Sequence, residues 1–299
     1  MPADHPTVIA TYSRRMRLLL PDGEHVDARI KGKQLRPVCG DRVVAAPIDQ
    51  EGDWLITAII DRDNELGRPN KRGQTEILAA NVQLLVVLTA ATPKPDWFIV
   101  DRYLCAAANM GISGAVVYNK IDLEIDRGDA AAVLQDYDVI GYPTLRCSAQ
   151  TGAGLDELRA LLAAKTAIIV GQSGVGKSSI INALVGNQAL PTAAISEKRG
   201  EGKHTTVTSM MLDLPGGGSV IDSPGVRDYA PALASVQQVS QGFLEIEASR
   251  SRCRFANCRH IREPGCAVKQ DVEDGRISAR RYESYKRLLN TTERLANLT

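Results

Sequence analysis

Gly171, Gln172, Ser173, Gly174, Val175, Gly176, Lys177 and Ser178 form the pattern G-x-x-x-x-G-K-S. The apolar run Ala167-Ile168-Ile169-Val170 precedes it, and the helical Ser179-Ile180-Ile181-Asn182-Ala183-Leu184 follows. That is the strand–loop–helix setting a phosphate-binding loop needs. Its glycines let backbone N–H groups curl around phosphate oxygens, and the helix N-terminus that opens at Ser178 and Ser179 adds partial positive charge. Lys177 is expected to reach the β- and γ-phosphates, and Ser178 to offer its hydroxyl to Mg²⁺. A glycine-rich turn with a chance lysine is the weaker alternative, because the flanks are correct.

Asn119-Lys120-Ile121-Asp122 follows the apolar strand Ala115-Val116-Val117-Tyr118, at the carboxyl end where α/β sheets bind ligands. N-K-x-D resembles the guanine-reading motif of GTPases. A carboxylate at Asp122 accepts from guanine N1–H and N2–H₂, which adenine cannot supply. Asn119 would hold the loop and the O6/N7 side, and Lys120 would lie over the base. Taken alone, the tetrapeptide reads equally well as an exposed loop. Ser148-Ala149 resembles the fifth GTPase motif, with the Ala149 N–H approaching guanine O6. Asp222-Ser223-Pro224-Gly225 ends the strand Ser219-Val220-Ile221 and resembles a γ-phosphate sensor. There Asp222 would hold Mg²⁺ through water and the Gly225 N–H would meet the γ-phosphate. Between them, Gly202-Lys203-His204-Thr205-Thr206 offers a switch threonine for Mg²⁺. Either Thr205 or Thr206 fits, with Thr206 slightly preferred.

A second chemistry lies further on. Cys253, Cys258, His260 and Cys266 place three thiolates and one imidazole within fourteen residues. This donor set suits a tetrahedral structural Zn²⁺, with no open position for catalysis. Arginines 250, 252, 254, 259 and 262 surround it, with no acid between 250 and 262. Guanidinium forks suit phosphate, so the segment is expected to touch a nucleic acid, largely through its backbone. A solvated basic loop is the alternative. Cys39, Cys105 and Cys147 are scattered and read as small buried hydrophobes.

Elements must position these groups. Residues 8–60 read as short strands, among them Val26–Ile30, Arg42–Ala45 and Trp54–Ile60, which a small β-barrel would close. Residues 61–75 are polar and charged, so a linker or exposed loop is expected. From 76 to 225, strand-length apolar runs alternate with helical patterns, which means a parallel sheet covered on both faces. Expected strands are Val82–Thr89, Gly114–Tyr118 and Ala167–Val170. Expected helices are Trp97–Asn109, Ala130–Tyr137 and Leu155–Ala164. Residues 226–299 are mostly helical in pattern, with Leu233–Ile246 one helix and Tyr282, Tyr285, Leu288, Leu289, Leu295 and Leu298 on one face of the last. The three parts carry net charges of +1, −4 and +4. The basic end points weakly to a polyanionic partner. No run of about 18 apolar residues exists and the N-terminus is no signal peptide, so a cytoplasmic protein without a membrane partner is expected.

The order of motifs is informative. GTPases ordinarily run phosphate loop, switch threonine, D-x-x-G, N-K-x-D and S-A. Here N-K-x-D and S-A come first. The same sheet results if the old ends are joined through Ala160–Thr166 and the chain is cut after D-x-x-G, a permutation that surface termini tolerate. Barrel, permuted GTPase and Cys/His tail together resemble the bacterial ribosome small-subunit-dependent GTPase A family, from about Gly40-Asp41-Arg42-Val43 to the C-terminus.

That resemblance implies an OB-fold barrel (1–70), a circularly permuted P-loop GTPase domain (76–228) and a helical zinc-binding domain (229–299) whose Cys/His spacing matches the family's zinc motif. It also implies a GTPase that acts in late maturation of the 30S subunit, binds its 16S rRNA, and is stimulated by that subunit. A monomer is expected. A nucleotide-gated RNA-binding module with slow hydrolysis is the competing reading. Many GTPases orient the attacking water with a glutamine after D-x-x-G. This chain has Val226 there. It should therefore be slow alone, with His204 the candidate to orient water, an assignment the resemblance supports; a surface loop histidine is the alternative. Gly174 stands where several potassium-activated GTPases carry asparagine, so no potassium requirement is expected. Gly225 lies 28 residues before Cys253. The γ-phosphate state is thus expected to pass to the tail by a short covalent connection.

Overall fold

The computed structural model describes residues 5–12, 15–32, 34–49, 52–69, 75–123, 128–186, 207–223 and 235–296. Gly202–Thr206, Pro224, Gly225 and Val226 lie outside them, so the switch threonines, His204 and the γ-phosphate glycine have no structural account.

Thirteen strands are seen among the described residues: β1 Thr7–Tyr12, β2 Met16–Leu19, β3 His25–Ile30, β4 Val43–Pro47, β5 Trp54–Ile59, β6 Glu65–Pro69, β7 Thr75–Ala80, β8 Leu84–Ala90, β9 Ser113–Asn119, β10 Thr144–Arg146, β11 Thr166–Val170, β12 Val207–Asp213 and β13 Ser219–Asp222. Eight α-helices accompany them: α1 Trp97–Asn109, α2 Gly128–Ile140, α3 Leu155–Leu162, α4 Lys177–Val185, α5 Val236–Gly242, α6 Leu244–Arg250, α7 Ala267–Glu273 and α8 Ala279–Ala296.

β1, β2, β3, β5 and β4 are neighbours in that order, and an antiparallel bridge between Thr7 and Arg42 returns β4 to β1. This is a five-stranded OB-type barrel. Val8, Met16, Leu18, Ala28, Val43 and Ile56 fill it. In β2 buried Met16 and Leu18 flank exposed Arg17, the alternation of a strand with one face inward. β1 also pairs antiparallel with β12, so barrel and α/β sheet are continuous: β10-β9-β8-β11-β13-β12-β1 and onward.

The expected linker at 61–75 is corrected. Glu65–Pro69 is strand β6, paired antiparallel with β7. Its polar sequence hides a strand because only Leu66 faces the core, at 1% exposure. The expected boundary between residues 70 and 76 falls inside this ribbon. Arg62 holds the fully buried Asp41 at 2.7 and 2.9 Å, fastening the start of the ribbon to the barrel.

β10, β9, β8, β11 and β13 run parallel. Every residue of β8 is buried, as a central parallel strand covered on both faces requires. Leu85 and Val87 face α1 and α2, whereas Leu84, Val86 and Leu88 face α3 and α4. Asp96 caps α1 by accepting from Phe98 N–H and Ile99 N–H.

The tail is helical, as expected, but Leu233–Ile246 is not one helix. Among its described residues α5 stops at Gly242, Phe243 is extended, and α6 restarts at Leu244. Packing requires the glycine beside the break: a side chain at 242 would meet Cys105 Sγ and Asn109 Nδ2 of α1 within 2.6 Å. Tyr285, Leu288 and Leu289 of α8 are buried as expected, against Phe243, Ile246 and Val268. Leu298 lies outside the described residues.

The tail rests on α1 through a buried ion cluster. Arg281 is fully buried and grips Glu245 with two bonds, at 2.7 and 2.9 Å, and Asp101 with a third, at 2.8 Å. Arg280 and Tyr137 complete the shell of Asp101, at 2.8 and 2.6 Å. Breaking one member of such a set strands the others without partners. Arg281→Ala is expected to cost about 3–5 kcal/mol, read as a lower urea midpoint, and an unchanged midpoint would show the cluster to be dispensable.

Candidate functional site

The carboxyl ends of β9, β8, β11 and β13 share one edge, because these strands are parallel and adjacent. The chain runs outward from β8 to β9 and β10, then crosses back to β11 on the other side of β8. A crevice at such a reversal is the ligand site of open α/β sheets. The phosphate loop leaves β11 there, Asn119 ends β9, and Asp222 ends β13.

Two glycines of the loop are required by close approach. A Cβ at Gly171 would sit 2.1 Å from Leu88 O, and one at Gly176 would sit 2.5 Å from Asn119 Nδ2. Both have positive φ, 143° and 96°. Lys177 is buried and donates to Gly171 O and Gln172 O, each at 2.6 Å. Its ammonium is therefore held in the curl of the loop, which leads into α4. Ser178 is half-buried, while Ser173, Gly174 and Ser179 are exposed.

Asn119 ties three motifs together. Its Nδ2 donates to Val175 O at 2.9 Å, and its Oδ1 accepts from Ala149 N–H at 3.1 Å. Its loop-holding role is thus visible, and the Ala149 N–H expected on guanine O6 is directed at Asn119. Lys120 sits at φ 64° and donates to Gly174 O at 2.6 Å and Thr92 O at 2.8 Å, across the phosphate loop. Asp122 is exposed at the short 3₁₀ turn Ile121–Leu123. Ser148 Oγ donates to its Oδ1 and accepts from Gln150 and Thr151 N–H. The carboxylate is thereby aimed by a buried, fully engaged hydroxyl.

Two side chains tie α1 to its surroundings in ways the motifs do not specify. The Gln172 side chain accepts from Asp96 N–H at 2.9 Å, linking the phosphate loop to the cap of α1. Asn109, near the other end of α1, donates to Gln238 O of α5 at 2.8 Å.

The ligand atoms of Cys253, Cys258, His260 and Cys266 all lie within 4.8 Å of one another. His260 Nδ1 is 3.5 Å from both Cys253 Sγ and Cys266 Sγ, and those sulfurs are 4.0 Å apart. A tetrahedral Zn²⁺ with ordinary bond lengths needs about 3.6 Å and about 3.8 Å for these pairs. The donors therefore fit the metal. Burial pushes the Cys258 thiol up to about 12 and lowers His260, so both disfavour their charged forms and a thiolate needs a cation beside it. Burial likewise raises Cys39, Cys105 and Cys147 to about 12, which matches their reading as inert core residues.

The arginine-rich segment is less free than its sequence suggests. Acids outside it pair with three of its cations: Arg250 with Glu247 one turn back on α6, Arg252 with Asp271, and Arg259 with Glu293.

Residues 59–231 match the family model described as RsgA GTPase. The chain belongs to the RsgA GTPase family. It is 44% identical over 254 residues to the small ribosomal subunit biogenesis GTPase RsgA of Ectopseudomonas mendocina, covering 84% of this chain and 74% of the relative. Identity to the protein of that name from Azotobacter vinelandii is 40% over 298 residues, covering 96% and 85%. Among solved structures, YjeQ from Thermotoga maritima superposes with a TM-score of 0.77 at 29% identity, covering 96% of this chain and 98% of the other. YloQ, described as a circularly permuted GTPase, gives 0.75 at 26% identity, covering 97% and 94%. The motif order of this chain is that of a circularly permuted GTPase, like the neighbour so described, and the chain is a GTPase.

Proposed function

We propose that this RsgA-family chain is a GTP-hydrolysing factor that acts late in assembly of the 30S ribosomal subunit in the cytoplasm, as a monomer stimulated by that subunit. The observation that carries the reading is the meeting of the base-reading, phosphate-binding and Mg²⁺-binding sequences at one sheet edge. The names of the relatives supply the subunit as partner. Residues 1–70, 76–228 and 229–299 serve as barrel, GTPase unit and tail, with the β6–β7 ribbon spanning the first boundary.

In this reading Asp122 selects guanine, with Ser148 aiming its carboxylate and Asn119 and Lys120 bracing the loop on which it stands. Lys177 exchanges its two carbonyl partners for the β- and γ-phosphate oxygens. Ser178, Thr206 and Asp222 hold Mg²⁺, which neutralises charge on the phosphates when bound. Gly225 senses the γ-phosphate, and His204 orients the attacking water where Val226 cannot. A single structural Zn²⁺ shapes the tail, which binds 16S rRNA.

The test is GTP turnover with and without purified 30S subunits. The intact chain should be slow alone and stimulated by subunits, and His204→Ala should lose the stimulated rate, by about 10²-fold, while still binding GTP. Subunit binding that depends on GTP without any stimulation would instead describe a nucleotide-gated binding module.

A further inference from the structure

The chain has three phenylalanines and two tryptophans, and only Phe255 is exposed, at 40%. It lies between Cys253 and Cys258, so the metal cluster brackets it. Cys258 N–H donates to Phe255 O at 3.1 Å, and Arg254 N–H donates to Gly265 O at 3.1 Å. The ring is thus presented on a clamped turn, not on a loose loop. The Arg254 guanidinium lies 5.4 Å from the ring centroid. Its stem runs over Gly265, where a Cβ would come within 3.2 Å of Arg254 Cβ.

The charges around this shelf are uncommitted. Arg254 and Arg262 pair with no acid among the described residues, unlike Arg250, Arg252 and Arg259. Glu263, the acid nearest in sequence, accepts from the N–H groups of Arg259, Ile261 and Arg262 instead. The ring lies outside the apolar cluster of the tail. A ring beside a guanidinium plane, flanked by unpaired arginines, fits a nucleobase on the ring and phosphates on the cations. Bases in a duplex have no free face, so the target is an unpaired base in a loop, bulge or single strand.

We propose that Phe255, backed by Arg254, stacks on an unpaired base of RNA while Arg254 and Arg262 contact its phosphates. This rests on the reading of the tail as RNA-binding and adds that the contact includes a base face, not the backbone alone.

The experiment measures affinity of the full-length, zinc-loaded chain for purified small ribosomal subunits with a non-hydrolysable GTP analogue, over a range of salt. Zinc content and thermal midpoint report folding of each variant. Phe255→Ala should weaken binding about tenfold or more, Phe255→Leu should weaken it as much, and Phe255→Trp should restore it. None of the three should alter the slope of log affinity against log salt, whereas Arg254→Gln and Arg262→Gln should each reduce it by roughly one unit. Wild-type affinity in Phe255→Ala overturns the inference. So does full affinity in Phe255→Leu, which would mean an apolar pocket on a protein partner. No binding by the unchanged chain would remove the RNA-binding reading itself, and that result is distinct from a variant that binds normally.

Discussion

Asp122→Asn is expected to shift nucleotide preference from guanine toward xanthine by about a thousandfold. The carboxylate would accept two N–H groups from guanine. An asparagine there keeps one acceptor and turns an N–H₂ donor toward the other guanine donor. One charge-assisted pair is lost, and a donor faces a donor; together these are worth about 4 kcal/mol. Xanthine carries an oxygen at position 2, which accepts from the new amide and restores the pairing. The side chain is exposed at a 3₁₀ turn, so the fold should tolerate the change. Ser148→Ala leaves the charge but removes the hydroxyl that aims it, and should cost only about tenfold in GDP affinity. Competition between GDP and XDP for a fluorescent guanine nucleotide reads both effects. Unchanged guanine selectivity in Asp122→Asn would sink the base-reading assignment.

The permuted order places the γ-phosphate sequence just before the tail, and the structure adds a second connection of a different kind. Gln172 of the phosphate loop holds the cap of α1, and α1 carries the tail through Asp101, Cys105 and Asn109. Both routes start at the nucleotide edge of the sheet. The covalent one passes through residues outside the described set, whereas the α1 route is fully packed. Gln172 stands at the nucleotide end of that route, and its carbonyl accepts from Lys177.

What the sequence disclosed follows from how local each signal is. The phosphate loop, N-K-x-D and the Cys/His set are short patterns whose chemistry fits few other uses. β8 and α1 were legible because an all-apolar run and a clean helical period each have one interpretation. β1, β2 and β12 were not singled out, because their stability comes from pairing with strands distant in sequence: Ala10 meets Met210 across two hundred residues. β6 was hidden for the same reason, with Leu66 alone inside. The break at Phe243 sits beside the close approach of α1 to Gly242, which no window of sequence contains. The arginine segment misled differently. Its lack of nearby acids was real, but Glu293 and Asp271 reach it through the fold.

Removing the metal is expected to unfold the tail while leaving the nucleotide edge folded. Cys258 and Cys266 sit in the same core as Phe243, Ile246, Val268 and Tyr285, so the cluster is a structural element of that core, not an appendage. Its backbone is also held in a disfavoured state, with His260 at φ 59°. Nε2 of that ring is buried with no hydrogen-bond partner, so Nδ1 is the atom facing the thiols. Structural zinc sites return about 10 kcal/mol or more to folding. Without the ion, four donors face one another in a small, weakly apolar domain that cannot replace that sum. Chelation or Cys258→Ala should therefore expose the tail to protease and abolish subunit binding. GDP affinity should fall only a few-fold, since α1 to α4 and their strands keep their own cores. Thiolates compete with protons for the metal, so the chelator concentration needed should fall as pH drops. A tail that stays protease-resistant with no bound zinc by elemental analysis would show that packing alone holds it. In that case the bracketing of Phe255 by two cysteines would lose its physical meaning as well.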